Sequence, residues 1–344
     1  MERGNQKMKK VTLQDIANSI GVSRISVWKV FSGREGVSDE LRKKVIDKAN
    51  ELNYSFPKDF VFPNETSKDQ SMYTIGVAIS NPHTSFFWMN VLHEVAKELT
   101  KHNANLFYIY LPEEASDNTQ LPASLTNGEI DGLIVLNVYD AILTHKISQL
   151  KIPKVYLDAT DCIDFEDLHG DLVLSSGKDS IIKIVERAIL EGRTRIGFIG
   201  DVNYSKSVHE RYDGFATVLN KNGLELDNKL CCTININYNN YESRIKNFLN
   251  ELQTMPDAFI CSNDFIAFYL WHLLVAKGYQ VPNDIFISGF GGFFDSDLSK
   301  KLTSIRVFSP DLGVRLANQV LYKINNPTLR HETIYVSSEI LSCN

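Results

Sequence analysis

Residues 11–54 read VTLQDIANSIGVSRISVWKVFSGREGVSDELRKKVIDKANELNY. Leu13, Ile16, Ala17 and Ile20 recur at helical spacing and form one apolar face. Thr12 precedes them as an N-cap, and Asp15 stands three residues on, as a capping box requires. Gly21 supplies the positive φ of a tight turn. Ser23 then caps a second predicted helix, Arg24 to Phe31, with Val27, Val30 and Phe31 inward and Arg24, Ile25, Trp28 and Lys29 outward. Ser38 caps a third helix, with Asp39 and Glu40 in its favourable first turn. Leu41, Val45, Ile46, Ala49 and Leu52 supply its apolar stripe. Helix, glycine turn, helix is the helix-turn-helix layout, whose second helix enters the major groove of DNA.

The same run closely resembles the DNA-binding head of the LacI/GalR family of transcription regulators. Thr12, Asp15, Ile16, Ala17, Gly21, Val22, Ser23, Leu52, Asn53 and Tyr54 match its motif. The resemblance implies that Arg24, Ile25 and Lys29 read bases. It also implies that Thr12, Ser23, Ser26, Ser32 and Ser38 contact phosphates. Trp28 and Tyr54 complete the expected DNA-facing set. The chemistry agrees: Arg and Lys donate to guanine O6 and N7, and Ile packs on a thymine methyl. Hydroxyls and helix N-terminal amides suit phosphates. Trp28-Lys29 stands where the family usually has Ser-Arg. Trp28 has two readings, packing on the sugar-phosphate backbone or covering the head's core.

Beyond Tyr54 the pattern breaks. The family's Pro, Ala and Leu hinge positions hold Phe56, Phe60 and Pro63 here. Pro63 disfavours helical geometry at Phe62, so at most one helical turn is expected. Phe60 or Phe62 can substitute as a minor-groove wedge or pack on the body. Weak or absent DNA bending is the expectation. The domains expected are a head at 1–55, an atypical hinge or linker at 56–71, and a core at 72–344.

Charge separates the parts. The net is −6 overall, yet residues 1–60 carry 12 Lys/Arg against 8 Asp/Glu. A basic head on an acidic body suits nucleic-acid contact by the head alone. With 43% hydrophobic and 23% charged residues over 344 positions, the composition is that of a globular protein of two or three domains. No apolar run of about 18 residues predicts a membrane span, and the polar start has no signal-like apolar segment. Five cysteines without CxxC spacing indicate neither a disulfide framework nor a zinc site, and fit a reducing cytoplasm. No Walker A, GxSxG or HExxH motif occurs, so no enzyme, cofactor or metal is expected.

The body alternates strand and helix, with predicted strands at Tyr73–Ser80, Asn105–Leu111, Gly132–Leu136, Lys154–Leu157, Asp171–Leu174, Arg195–Ile199, Cys232–Ile236, Ala258–Cys261 and Ile285–Gly289. Such alternation points to parallel sheets covered on both faces. Two Rossmann-like subdomains are expected, with a ligand in the cleft beyond the strands' carboxyl ends. The body also resembles the family's periplasmic-binding-protein-like core. Ile75-Gly76-Val77, Asp131-Gly132-Leu133-Ile134, Arg211-x-x-Gly214-Phe215 and Pro256-Asp257-Ala258 with Asn263-Asp264 carry that likeness. The expected lobes are about 72–159 with 291–323, and about 160–290 with 324–344.

Carried over by position, Arg211 and Asp264 are the foremost effector candidates, followed by Ser85, Phe86 and Trp88 in the first loop and by Asp158 and Asn263. Two departures stand out. Val173-Leu174-Ser175-Ser176-Gly177 lacks an Asp the family commonly has, and Gly289-Phe290-Gly291-Gly292 lacks another. Loss of two acceptors implies a less polar effector or a degenerate pocket. The family implies a repressor of a carbohydrate-use operon that binds double-stranded operator DNA as a homodimer. A small-molecule effector, a sugar or sugar derivative, is expected to control it. The alternative is a regulator answering to a protein partner or acting constitutively.

Overall fold

The computed structural model describes residues 11–32, 34, 36–52, 54, 73–80, 86–236, 239–292 and 301–342. The expected hinge at Phe56–Pro63 and the candidate Ser85 lie outside them. The chain divides into two compact units, Met1–Ser71 and Met72–Asn344.

The first unit is helical: α1 (Leu13–Ile20), α2 (Arg24–Phe31) and α3 (Asp39–Glu51). Thr12 Oγ1 accepts the Asp15 N–H at 3.3 Å, and the Asp15 carboxylate accepts the Thr12 N–H at 2.8 Å. This capping box satisfies donors that the first helical turn leaves unpaired. Gly21 ends α1 at φ 71°, and Ser23 Oγ starts α2 by accepting from Ser26 N at 3.0 Å. Ile16, Ala17, Val27, Val45 and Ala49 are fully buried where the three helices meet.

In the second unit, β1 (Thr74–Ser80), α4 (Phe86–Lys101), β2 (Asn105–Leu111), β3 (Gly132–Leu136), α5 (Ala141–Ser148), β4 (Lys154–Leu157) and β5 (Asp171–Ser175) come first. Next come α6 (Gly177–Leu190), β6 (Ile196–Ile199), α7 (Lys206–Lys221), α8 (Tyr241–Glu251), β7 (Ala258–Cys261), α9 (Asp264–Ala276) and β8 (Phe286–Gly291). The chain closes with β9 (Thr303–Arg306), α10 (Ser309–Asn325), β10 (Thr333–Val336) and β11 (Glu339–Leu341). One sheet runs β10-β5-β4-β3-β1-β2, all parallel; in it Val77 pairs with both Tyr108 and Ile134. The other runs β11-β9-β8-β7-β6, with β11 antiparallel to β9. Helices α4 and α10 cover one face of the first sheet, while α5 packs into the cluster on the other. Helices α6 and α7 face α8 and α9 across the second. The central strands are buried on both faces, which is why they read as unbroken apolar runs.

The lobes change over later than expected. β5 extends the first sheet by pairing with β4, so the first crossing lies at Ser175–Gly177 rather than near 159. β9 stays with the second sheet, and α10 and β10 return to the first. Strand spacing shows that a segment is extended, whereas sheet membership depends on a distant partner. The expected strand Cys232–Ile236 is not formed: a single bridge joins Cys232 to Ile199, and Asn235 turns to φ 55°. Extended backbone ends at such a residue. Among the described residues no helix is long and apolar enough to cross a membrane.

Candidate functional site

The head presents α2 outward. Val27, Val30 and Phe31 are buried, while Ile25 is 66% and Trp28 44% exposed. Arg24 is exposed and Lys29 half-buried on the same side. Trp28 therefore does not cover the head's core. The Arg34 guanidinium lies 5.1 Å from its ring centroid. The hydroxyl candidates have structural duties as well. Thr12 and Ser23 cap α1 and α2, Ser26 Oγ lies 2.9 Å from Ser23 Oγ, and Ser38 Oγ accepts from Leu41 N at 3.3 Å. Ser32 ends α2 and is exposed. Tyr54 stacks on Phe31 with ring centroids 5.3 Å apart, so its ring completes the head's core.

The second candidate lies between the lobes of the core, in a cavity of about 500 Å³. It opens beyond the carboxyl ends of both sheets: Ser80 at the end of β1, Asp158 after β4, Asp201 after β6, Ser262 after β7 and Phe290 in β8 all line it. Ligands of open parallel sheets bind there.

Four of the expected residues meet in this cavity: Trp88, Asp158, Arg211 and Asn263. Arg211, buried on the second turn of α7, donates from one terminal nitrogen to the Ser262 carbonyl at 2.7 Å and from the other to Ser207 Oγ at 3.4 Å. Its guanidinium lies 3.6 Å over the Phe290 ring. Gly177 makes this possible, because a Cβ there would meet Arg211 Cγ at 3.2 Å. Burial pulls the Arg211 guanidinium down to about 10, against the upward pull of Asp158, Tyr139, Glu210 and Asp264. It stays cationic at neutral pH. Its Nε–H is buried without a hydrogen-bond partner.

Asp158 sits at φ 61°, a strained conformation that aims its carboxylate at the N-terminus of α7. It accepts from Ser207 N at 3.2 Å, from Ser207 Oγ and from its neighbour Ala159 N at 2.8 Å. Helix N-termini favour such anions. Asn263 Oδ1 caps α9 by accepting from Ile266 N at 2.9 Å.

The other expectations fare differently. Asp264 does not line the cavity: it is buried beneath it, accepting from Ser304 Oγ at 2.7 Å. Its position at the first turn of α9 directs it at β8 and β9 instead. Phe86 points to solvent, 83% exposed, because it opens α4 on the face turned away from the sheet. Sequence reasoning missed Tyr139 and Tyr204, whose rings lie 4.4 Å apart within the cavity wall. Burial raises the Tyr139 hydroxyl well above its ordinary range. Both tyrosines closely follow strand ends, β3 and β6, and that placement was the available signal. Ser207, one turn before Arg211, was also missed.

Comparison with known proteins fits both halves. Residues 12–56 match the family described as bacterial regulatory proteins, lacI family, and residues 185–341 match the periplasmic binding protein-like domain. The probable HTH-type transcriptional repressor ExuR of Bacillus subtilis is 24% identical over 340 residues, covering 96% of this chain and 97% of its own. The ribose operon repressor of Haemophilus influenzae is 25% identical over 325 residues, covering 94% and 95%. Among solved structures, a CelR–cellobiose complex aligns at TM-score 0.68 and 20% identity, covering 96% of this chain and 98% of that one. The lac repressor dimer bound to operator and the anti-inducer ONPF aligns at 0.65 and 20%, with the same coverage. The helix-turn-helix head is thus a domain of the lacI family of bacterial regulatory proteins, and the two-sheet core that follows is a periplasmic-binding-protein-like domain.

Proposed function

We propose that this regulator is a repressor that binds a pseudo-palindromic operator as a homodimer and is controlled by a small molecule held between the core lobes. The observation that carries it is the outward face of α2, where Arg24, Ile25 and Trp28 stand exposed beside Lys29 on a helix capped for docking. Arg24 and Lys29 read base edges there, Ile25 packs on a thymine methyl, and Thr12, Ser23, Ser26, Ser32 and Ser38 hold phosphates. A second copy of the chain would cover the apolar side chains that β2 and α4 expose: Phe107, Tyr108 and Tyr110, with Phe86 and Met89. Two heads then read two half-sites. The interlobe cavity supports a live small-molecule input over a regulator that has lost one. Trp88, Asp158, Arg211 and Asn263 are the proposed effector contacts, and ligand bound there favours one lobe arrangement over the other.

The test is a binding series on a site selected by the full chain from random DNA. Lys29→Ala is expected to weaken that site by about 1–3 kcal/mol and to relax preference at one base. Equal losses on selected and random DNA would reduce Lys29 to a phosphate contact. No selected sequence at all would overturn the operator reading.

A further inference from the structure

The charge around the cavity is one-sided. Among the described residues lining it, five carboxylates, Glu113, Glu114, Asp140, Asp158 and Asp201, stand against one cation, Arg211. That cation is already engaged by the Ser262 carbonyl and by the Phe290 ring. No group of three His, Cys, Asp or Glu among the described residues converges as a metal ion requires, so the negative charge is spread along the wall.

The tyrosine pair stands within that field. Tyr139 feels Asp158 and Arg211 on one side, while Tyr204 feels Asp158, Glu113 and Asp201 on the other. Two π faces in a negative field attract a cation and repel an anion. A neutral polyol gains hydrogen bonds there but no attraction of charge. One donor in the wall remains open, the buried Nε–H of Arg211, and a ligand oxygen completes it.

We propose that the effector is a small hydroxylated amine, its ammonium against the Tyr139–Tyr204 pair and the carboxylates around them, its oxygens toward Arg211. This narrows the small-molecule reading above and rests on it. Sugar phosphates and sugar acids are excluded by the same field.

Calorimetry on the full chain tests it with probes that share a frame and differ in charge. The sets are glucosamine, glucose and glucuronate; galactosamine, galactose and galacturonate; and serinol, glycerol and glycerate. In at least one set the amine is expected to bind about tenfold more tightly than its neutral counterpart, a preference that shrinks as salt is raised. The acid is expected not to bind. Glu113→Gln with Asp201→Asn should abolish the preference, so that the amine binds no more tightly than its neutral counterpart. A neutral or acidic member binding as tightly as its amine overturns the charge assignment and leaves the small-molecule reading standing. Silence across all sets, with selected DNA still bound, overturns both.

Discussion

Lys154 carries its ammonium into the interior of the first lobe, where it donates to the carbonyls of Ser148, Leu150 and His169 at 3.3, 2.7 and 3.2 Å. Burial lowers its pKa to about 8. The sign follows from proton counting. Between about 8 and the ordinary 10.5 the unfolded chain binds more protons than the folded one, so stability rises with pH across that window. Lys154→Met should erase this rise. At pH 7 it should cost about 1–3 kcal/mol, because buried carbonyls lose their donor. Urea unfolding at pH 7 and near pH 10 checks both, and an unchanged slope in the variant would assign the titration elsewhere. Nothing in the sequence marks Lys154 as buried, since lysine is an ordinary surface residue and its acceptors come from two places, the end of α5 and the turn at His169.

Elements meet closely where glycine allows it. In the first lobe Gly313 of α10 faces α4, and a Cβ there would lie 2.8 Å from the Val91 carbonyl. In the second, a Cβ on Gly214 of α7 would lie 2.8 Å from the Lys178 carbonyl of α6. Backbone carbonyls cannot swing aside as a flexible side chain does, so the helices must separate. Gly313→Ala and Gly214→Ala should each destabilise the core by about 1–3 kcal/mol despite alanine's better helix propensity. A rise in unfolding midpoint for either would refute the close-packing account. The head's elements were legible in advance because their caps are local: Thr12–Asp15 and Ser23–Ser26 act within three residues. The false strand at 232–236 shows the opposite case. Its apolar alternation is real, but Asn235 breaks the backbone and β6 meets it at Cys232 alone.

At the level of the whole core, the first turns of α7 hold the two lobes together. Lys206 N donates to the Ala159 carbonyl at 2.9 Å, Ser207 binds Asp158, and His209 Nδ1 lies 2.9 Å from Asp161. One residue on, Tyr335 of β10 donates to Glu210 Oε1 at 2.5 Å, while Glu210 Oε2 is buried without a partner. Burial raises the Glu210 carboxyl, with Asp158 acting the same way and Tyr335, Lys178 and Arg211 opposing. A raised carboxyl contributes stability below its unfolded value of 4.5, and that contribution is lost as pH rises through the folded pKa. Glu210→Gln should therefore raise the unfolding midpoint at pH 7 and leave it almost unchanged at pH 4, with a flatter profile between. An equal gain at both pH values would point to packing instead of charge.

The sequence by itself determined the head, the class of the core and the carboxyl-end location of the cavity. Each rests on local signals: caps within one turn, helical periodicity, and apolar runs long enough for a strand. It also placed Arg211, Asp158, Trp88 and Asn263 around one cavity. Only the tertiary structure decided which sheet each late strand joins, that Asp264 turns under the cavity toward Ser304, and that Tyr139 and Tyr204 meet across the lobes. Those outcomes depend on partners beyond the reach of local sequence pattern, chosen by hydrogen-bond pairing and close packing. Pattern along a chain records what a residue prefers to bury; it does not record what that residue will meet.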